Sequence, residues 1–258
     1  LTLTDAAGNP VSGERVDWHA DSGNLWQTQG TTDAQGRATT TWESTMPGAA
    51  TITADAYGQQ YTAPVITVMP ALTVSNVTGI DATGADGKNF GKRVPNSTWP
   101  GAKFRVDTEN AAGTVTWTAS SPAVSINGNI MTVKSNPAGV TLTGTDADGQ
   151  TVTLNMGSNW FAQSATKWEW LSGDYDGTAI YSCRQLGAQV ASSSALQGII
   201  SEWGELETYD GWTNLKNNWL YSSTTVVSGN GVKSTIAYLF PGGQEGQLTG
   251  LRGYYACR

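Results

Sequence analysis

Charged residues are scarce in this 258-residue chain, at 14%. So few Lys and Glu argue against long solvated helices, while the apolar content argues against a disordered chain. No segment concentrates positive charge. Residues 1–70 hold seven acids and two bases, residues 71–157 six of each, and residues 158–258 eight acids and six bases, for a net charge of −7. That balance excludes the electrostatic footprint of a nucleic-acid binder or of a protein held on anionic lipid. No apolar run approaches the roughly 18 residues of a transmembrane helix. No signal peptide is present, and the chain opens on Leu1-Thr2-Leu3-Thr4, already in strand alternation. The expectation is a fragment of a longer protein, with export signal or membrane anchor upstream. Cysteine is limited to Cys183 and Cys257. Two unrelated buried thiols are one reading. A disulfide is the preferred one, because it ties down an end that otherwise frays and closes a loop of about 75 residues, stabilising by roughly 4 kcal/mol.

Glycine (31) and tryptophan (11) are abundant. Residues 1–70 alternate short strands with tight turns. Ala7-Gly8-Asn9-Pro10 turns the chain; Glu14 to His19 alternates with Val16 and Trp18 on one face; Thr32 to Gly36 turns into Ala38-Thr40-Trp42; and Met46-Pro47-Gly48 precedes Ala50-Ile52-Ala54. Strands at roughly ten-residue spacing with Gly-centred turns mark a β-sandwich. Pro64 to Ala71 reads as a stiff linker. Residues 71–157 form a second β module. It contains Val115-Trp117 with the Trp inward, a hairpin at Ile126-Asn127-Gly128-Asn129-Ile130, and two strands flanking Asp146-Ala147-Asp148-Gly149.

Helical signals enter only in residues 158–258. Asp176 is placed to cap a helix with Ala179, Cys183 and Leu186 on one stripe and Gly187 as its stop. Ser194 and Gln197 have capping-box spacing ahead of Leu196, Ile199, Ile200 and Trp203, with Gly204 as terminator. Strands return over Thr224–Val227 and Val232–Phe240, around Ser228-Gly229-Asn230-Gly231. The expected fold class is therefore mostly β and multidomain, with two sandwiches followed by an α+β module.

Several stretches carry a family resemblance. Asp5-Ala6-Ala7-Gly8-Asn9-Pro10-Val11, Thr32-Asp33-Ala34-Gln35-Gly36-Arg37-Ala38 and Ser44-Thr45-Met46-Pro47-Gly48 resemble the bacterial immunoglobulin-like repeats of the intimin/invasin adhesins, with the first strand of the repeat missing. Thr116 to Val124 resembles a second type of bacterial immunoglobulin-like domain. Ala179 to Val190, Ser192-Ser193-Ser194, Trp203-Gly204 and Tyr255-Ala256-Cys257-Arg258 resemble the C-type-lectin-like domain at the tip of those inverse autotransporters. The resemblance implies immunoglobulin-like domains at 1–70 and 71–157 and a receptor-binding lectin-like domain at 158–258. It implies a monomeric fragment of a protein displayed on the bacterial surface, anchored in the outer membrane by an absent N-terminal segment.

Enzyme, cofactor and metal chemistry find little support. Asp146-Ala147-Asp148-Gly149 and Asp174-Tyr175-Asp176-Gly177 do not continue as calcium loops, since the twelfth positions are Gly157 and Gln185, so turn chemistry explains them. The Glu-Pro-Asn, Gln-Pro-Asp and Trp-Asn-Asp triplets of calcium-dependent lectins are absent. His19, the single histidine, reads as a solvated strand residue, and Glu202, Glu205 and Glu207 as a solvated acidic face. No catalytic, cofactor or metal residues are assigned.

What remains is a surface. Glu205 to Leu215 combines Tyr, Trp, Leu and Asp without strong periodicity. Tyr209, Asp210, Trp212 and Asn214 are the expected receptor-binding residues, because aromatic side chains concentrate interface energy and rim carboxylates steer. Trp212 and Trp219 also fit as core fillers; Gly211 and Asn214 flank Trp212 with turn chemistry, which favours the surface for it. The resemblance further implies that Asp210 is placed like the aspartate that the invasin branch offers to integrins. The expected partner is a host-cell surface or host-derived protein, not nucleic acid. The alternatives are a carbohydrate-binding accessory region of a secreted enzyme and a stalk end mediating bacterial self-association.

Overall fold

The structure is a computed structural model that describes residues 1–169, 177–229, 233–248 and 252–258. The chain divides into two compact units, Leu1–Ala71 and Leu72–Arg258.

In the first unit, alternation does what the sequence predicts. The strand Arg15–Ala20 buries Val16 and Trp18 and turns His19 outward, 3.2 Å from Asp55 on the neighbouring strand. The four-stranded sheet runs in the order Gln29–Thr31, Arg15–Ala20, Ile52–Ala56, Gln59–Thr62. The Asp33 carboxylate accepts the N–H groups of Gln35 and Arg37, and Gly36 supplies the positive φ of that turn. The expected strand from Ala38 to Trp42 forms only at its end, as Trp42–Glu43 paired with Asn24–Leu25.

The second unit opens with a sandwich. Its larger sheet runs Asp86–Gly91, Thr73–Ile80, Lys103–Glu109, Ile130–Val133, Val124–Asn127, and its smaller sheet Thr116–Ala119, Thr141–Thr145, Thr151–Asn155. Val77, Phe104, Val106, Trp117, Met131, Val133 and Leu142 fill the space between them. The hairpin at Asn127↔Ile130 turns on Gly128 and Asn129, with the positive φ on Gly128. The Asp146 carboxylate accepts the N–H groups of Ala112, Asp148 and Gln150, so it closes a loop; no cluster able to hold a metal ion occurs among the described residues. Asp174 and Asp176 lie outside the described residues.

An α+β portion follows. Its five-stranded sheet runs Gln163–Glu169, Arg252–Cys257, Trp219–Val227, Lys233–Leu239, Gln244–Leu248. Two helices accompany it, α1 over Gly177–Gln185 and α2 over Ser193–Trp203. In α1, Ala179 and Cys183 are buried, and Cys183 is bridged to Cys257 of the last strand. Leu186 does not continue that stripe: the helix stops at Gln185, and Leu186 stands 50% exposed. In α2 the cap is Ser192, whose hydroxyl accepts the Ala195 N–H, two residues ahead of the expected Ser194. Leu196, Ile199 and Trp203 are buried, and the Gly204 N–H closes the helix on the Ile200 carbonyl. One hydrophobic core runs from Val74 to Ala256 through both the sandwich and the α+β portion.

Candidate functional site

The segment after α2 is shaped by two short 3₁₀ turns, Leu206–Thr208 and Thr213–Leu215. Tight turns of this kind alternate inward and outward side chains over very few residues. Leu206, Tyr209, Trp212 and Leu215 point in; Gly211, Thr213 and Asn214 stay exposed, and Asp210 is half-buried.

This corrects the expectation for two of the four predicted contact residues. Tyr209 is 2% exposed and Trp212 is fully buried. They face the preceding sandwich instead of solvent. Tyr209 packs edge-on to Trp203 at 4.9 Å, and its hydroxyl accepts the Lys88 N–H at 2.7 Å. Trp212 packs edge-on to Trp99 at 5.5 Å and to Phe161 at 6.1 Å. The sandwich makes room by leaving side chains out: a Cβ on Gly87 would lie 2.3 Å from the Tyr209 hydroxyl, and one on Gly79 would lie 3.0 Å from the Trp203 ring. Burial raises the Tyr209 phenol above its ordinary value.

Polar bonds close the same junction. The Trp99 indole donates to the Asp210 carbonyl at 2.7 Å, and the Trp203 indole donates to the Ser97 carbonyl at 2.7 Å. Lys103 sits 2.8 Å from the Asp210 carboxylate. The Glu202 carboxylate accepts the N–H groups of Asn96 and Ser97. Glu202 is therefore a junction residue and not part of a solvated acidic face. Glu207 departs from that reading as well: one of its oxygens is buried without a hydrogen-bond partner among the described residues, and burial, with a smaller push from Glu205, raises its carboxyl above the usual range. Trp99, Lys103 and the glycines facing Tyr209 escaped sequence reading. The one available signal was the aromatic load, eleven Trp in 258 residues.

The outcome is an apolar-backed shelf whose rim carries the half-buried Asp210 and the exposed Gly211, Thr213 and Asn214. Among the described residues the Asn214 side chain has no hydrogen-bond partner; its carbonyl accepts from Asn218.

Comparison with known proteins places this geometry. The family description "Bacterial Ig-like domain (group 1)" matches residues 1–69. Intimin of Citrobacter freundii is 26% identical over 242 residues, which cover 88% of this chain and 24% of that protein. The chain is thus similar to the intimin/invasin adhesins over most of its length. It spans about a quarter of the length of that curated intimin. The crystal structure of the C-terminal 282-residue fragment of intimin, in complex with the translocated intimin receptor (Tir) intimin-binding domain, superposes with a TM-score of 0.61 at 20% identity, over 98% of this chain and 90% of that one. The structure of an intimin–Tir90 complex has a TM-score of 0.50 at 16% identity, over 74% of this chain and 99% of that one. The fold is mostly β, immunoglobulin-like domains followed by a C-type-lectin-like domain, with the disulfide in the latter.

Proposed function

We propose that the chain is the receptor-binding end of a bacterial surface adhesin, acting by binding and not by catalysis. In this reading residues 1–70 and 71–157 are immunoglobulin-like spacers and residues 158–258 the lectin-like recognition domain. A segment outside this chain holds the protein in the outer membrane, and the partner is a host-cell or host-derived protein. The observation that carries the reading is the build of the lectin-like portion. Its aromatic residues are spent on a fixed junction with the sandwich, which presents a preorganised rim and lowers the ordering cost of binding. The structural relatives support a protein partner, since the intimin fragment was solved with the intimin-binding domain of Tir. On this reading Asp210 and Asn214 touch the partner, while Tyr209 and Trp212 support them from beneath.

The test is flow cytometry of fluorescent whole chain on cultured mammalian cells. Saturable binding, weakened at least tenfold by Asn214→Arg with the unfolding midpoint unchanged, and weakened also by Asp210→Asn, is the expected result. Undiminished binding by both variants would remove this rim from the interface. No saturable binding by the unaltered chain would overturn the adhesin reading itself.

A further inference from the structure

A second feature lies on the lectin-like portion, lined by none of the residues from Asp210 to Asn214. A cavity of about 260 Å³ opens between the last turns of α1, the segment after it and the strand Trp219–Val227. Ile180, Ala188 and Val190 give it an apolar floor, and Arg184, Gln189 and Ser223 surround that floor with polar groups. Ile180 and Arg184 are four residues apart and share one face of α1. Backbone pairing fixes the walls. The Gln189 N–H donates to the Arg258 carbonyl and the Arg258 N–H to the Gln189 carbonyl, Val190 bridges to Cys257, and the Ser223 N–H donates to the Ala191 carbonyl. The Cys183–Cys257 bridge ties α1 to the same strand.

The polar groups are the informative part. Among the described residues, the Arg184 guanidinium, the Gln189 amide and the Ser223 hydroxyl have no hydrogen bond or ion pair, whereas most other Arg side chains in the described regions, such as Arg15, Arg37, Arg105 and Arg258, are engaged. Arg184, Gln189 and Ser223, all exposed, thus line one small pocket of an acidic chain of net charge −7. A guanidinium with an adjacent amide and hydroxyl matches a carboxylate, which accepts the forked pair of N–H groups and has lone pairs to spare. The volume lies slightly under the roughly 300 Å³ lower bound of small-molecule pockets and suits one side chain of a larger partner.

We propose that this pocket is a receptor subsite that takes an Asp or Glu side chain of the protein partner, with Arg184 as its principal contact. The inference rests on the adhesin reading for its biological setting and on the pocket's chemistry for its ligand. Arg184 also sits in the last turn of α1, where a cation complements the helix carbonyl ends, so a purely structural role is the competing account. Arg184→Lys separates the two, since it keeps the charge at the helix end and loses the planar fork.

Two measurements on the whole chain test it. In the first, ¹⁵N-labelled protein is titrated with acetyl-Leu-Glu-Leu-amide and with its Gln analogue. The expected result is saturable shifts confined to residues around Arg184, Gln189 and Ser223 for the Glu peptide, at least tenfold weaker for the Gln peptide and for Arg184→Lys. Equal response to both peptides, shifts elsewhere, or no shifts would overturn the subsite. In the second, the cell-binding assay is repeated with Arg184→Gln and, as control, Lys134→Glu, an exposed cation outside the pocket. Loss confined to Arg184→Gln supports a receptor subsite. Full binding by Arg184→Gln overturns it and leaves the adhesin reading standing. If the unaltered chain fails to bind cells, the adhesin reading falls, and the peptide titration alone decides the pocket's chemistry.

Discussion

The hydroxyl of Tyr209 occupies the space where Gly87 has no side chain; a Cβ there would approach it to 2.3 Å. A residue after the second helix and a glycine in a sandwich strand, 122 positions apart, thus form one lock and keyhole, completed by the Lys88 N–H that donates to the same hydroxyl at 2.7 Å.

Gly87→Ala should therefore destabilise the Leu72–Arg258 unit by about 1–3 kcal/mol through overpacking. Tyr209→Phe should cost about 1 kcal/mol through the unmet Lys88 N–H. Combined, the two should cost less than their sum, because removing the hydroxyl relieves part of the clash. Urea unfolding of the four proteins checks this; strict additivity would mean that the two residues do not share the space.

Glu202 holds two backbone N–H groups of Asn96 and Ser97. Glu202→Gln keeps one acceptor and should cost about 1 kcal/mol, while Glu202→Ala should cost about 2–3 kcal/mol, since a charged acceptor is lost and the Ser97 N–H is left in a buried setting. Thermal unfolding of both variants gives the ordering.

Glu207 makes a prediction in pH. Its folded-state carboxyl is raised by burial and, to a smaller extent, by Glu205, so ionisation is harder in the folded chain than in the unfolded one. The stability loss is absent below the unfolded value of about 4.3 and complete above the folded value. Glu207→Gln should raise Tm by about 2 °C at pH 7, and the gain should vanish below about pH 4. Scanning calorimetry at several pH values checks it; a gain that grows on acidification contradicts the assignment.

The cysteines give a prediction with an internal control. Cys183 and Cys257 both lie in the Leu72–Arg258 unit. Reduction should lower that unit's stability by about 4 kcal/mol, given 74 residues of separation, and leave the unfolding of Leu1–Ala71 unchanged. Denaturant curves with and without reductant, followed at Trp fluorescence, resolve the two transitions.

Much of the fold was legible because its signals are local. Val16 and Trp18 declare their face by period two, and Leu196, Ile199 and Trp203 declare theirs by helical period. The terminal cysteine pair announced its bridge. The candidate site was harder to read because its meaning is non-local. Gly211 and Asn214 carry ordinary turn chemistry, which says that the chain bends but not which way the aromatic between them points. That direction is set by Trp99 and Phe161, and the direction of Tyr209 by the bare surface at Gly79 and Gly87, none of which is periodic with the segment they receive. Asn214 was legible as an exposed polar position; the half-burial of Asp210 and the interior places of Tyr209 and Trp212 were not.

The place of the strand Arg252–Cys257 has a consequence for the order of assembly. It lies inside its sheet, antiparallel to Gln163–Glu169 on one side and parallel to Trp219–Val227 on the other. A chain delivered from its N-terminus can complete the first immunoglobulin-like unit early, from contacts within about 70 residues. The lectin-like sheet has a gap between Gln163–Glu169 and Trp219–Val227 until Arg252–Cys257 arrives. Its closure is a long-range event, slow by the logic of contact order, and it follows the strands Gln163–Glu169 and Trp219–Val227 that it joins.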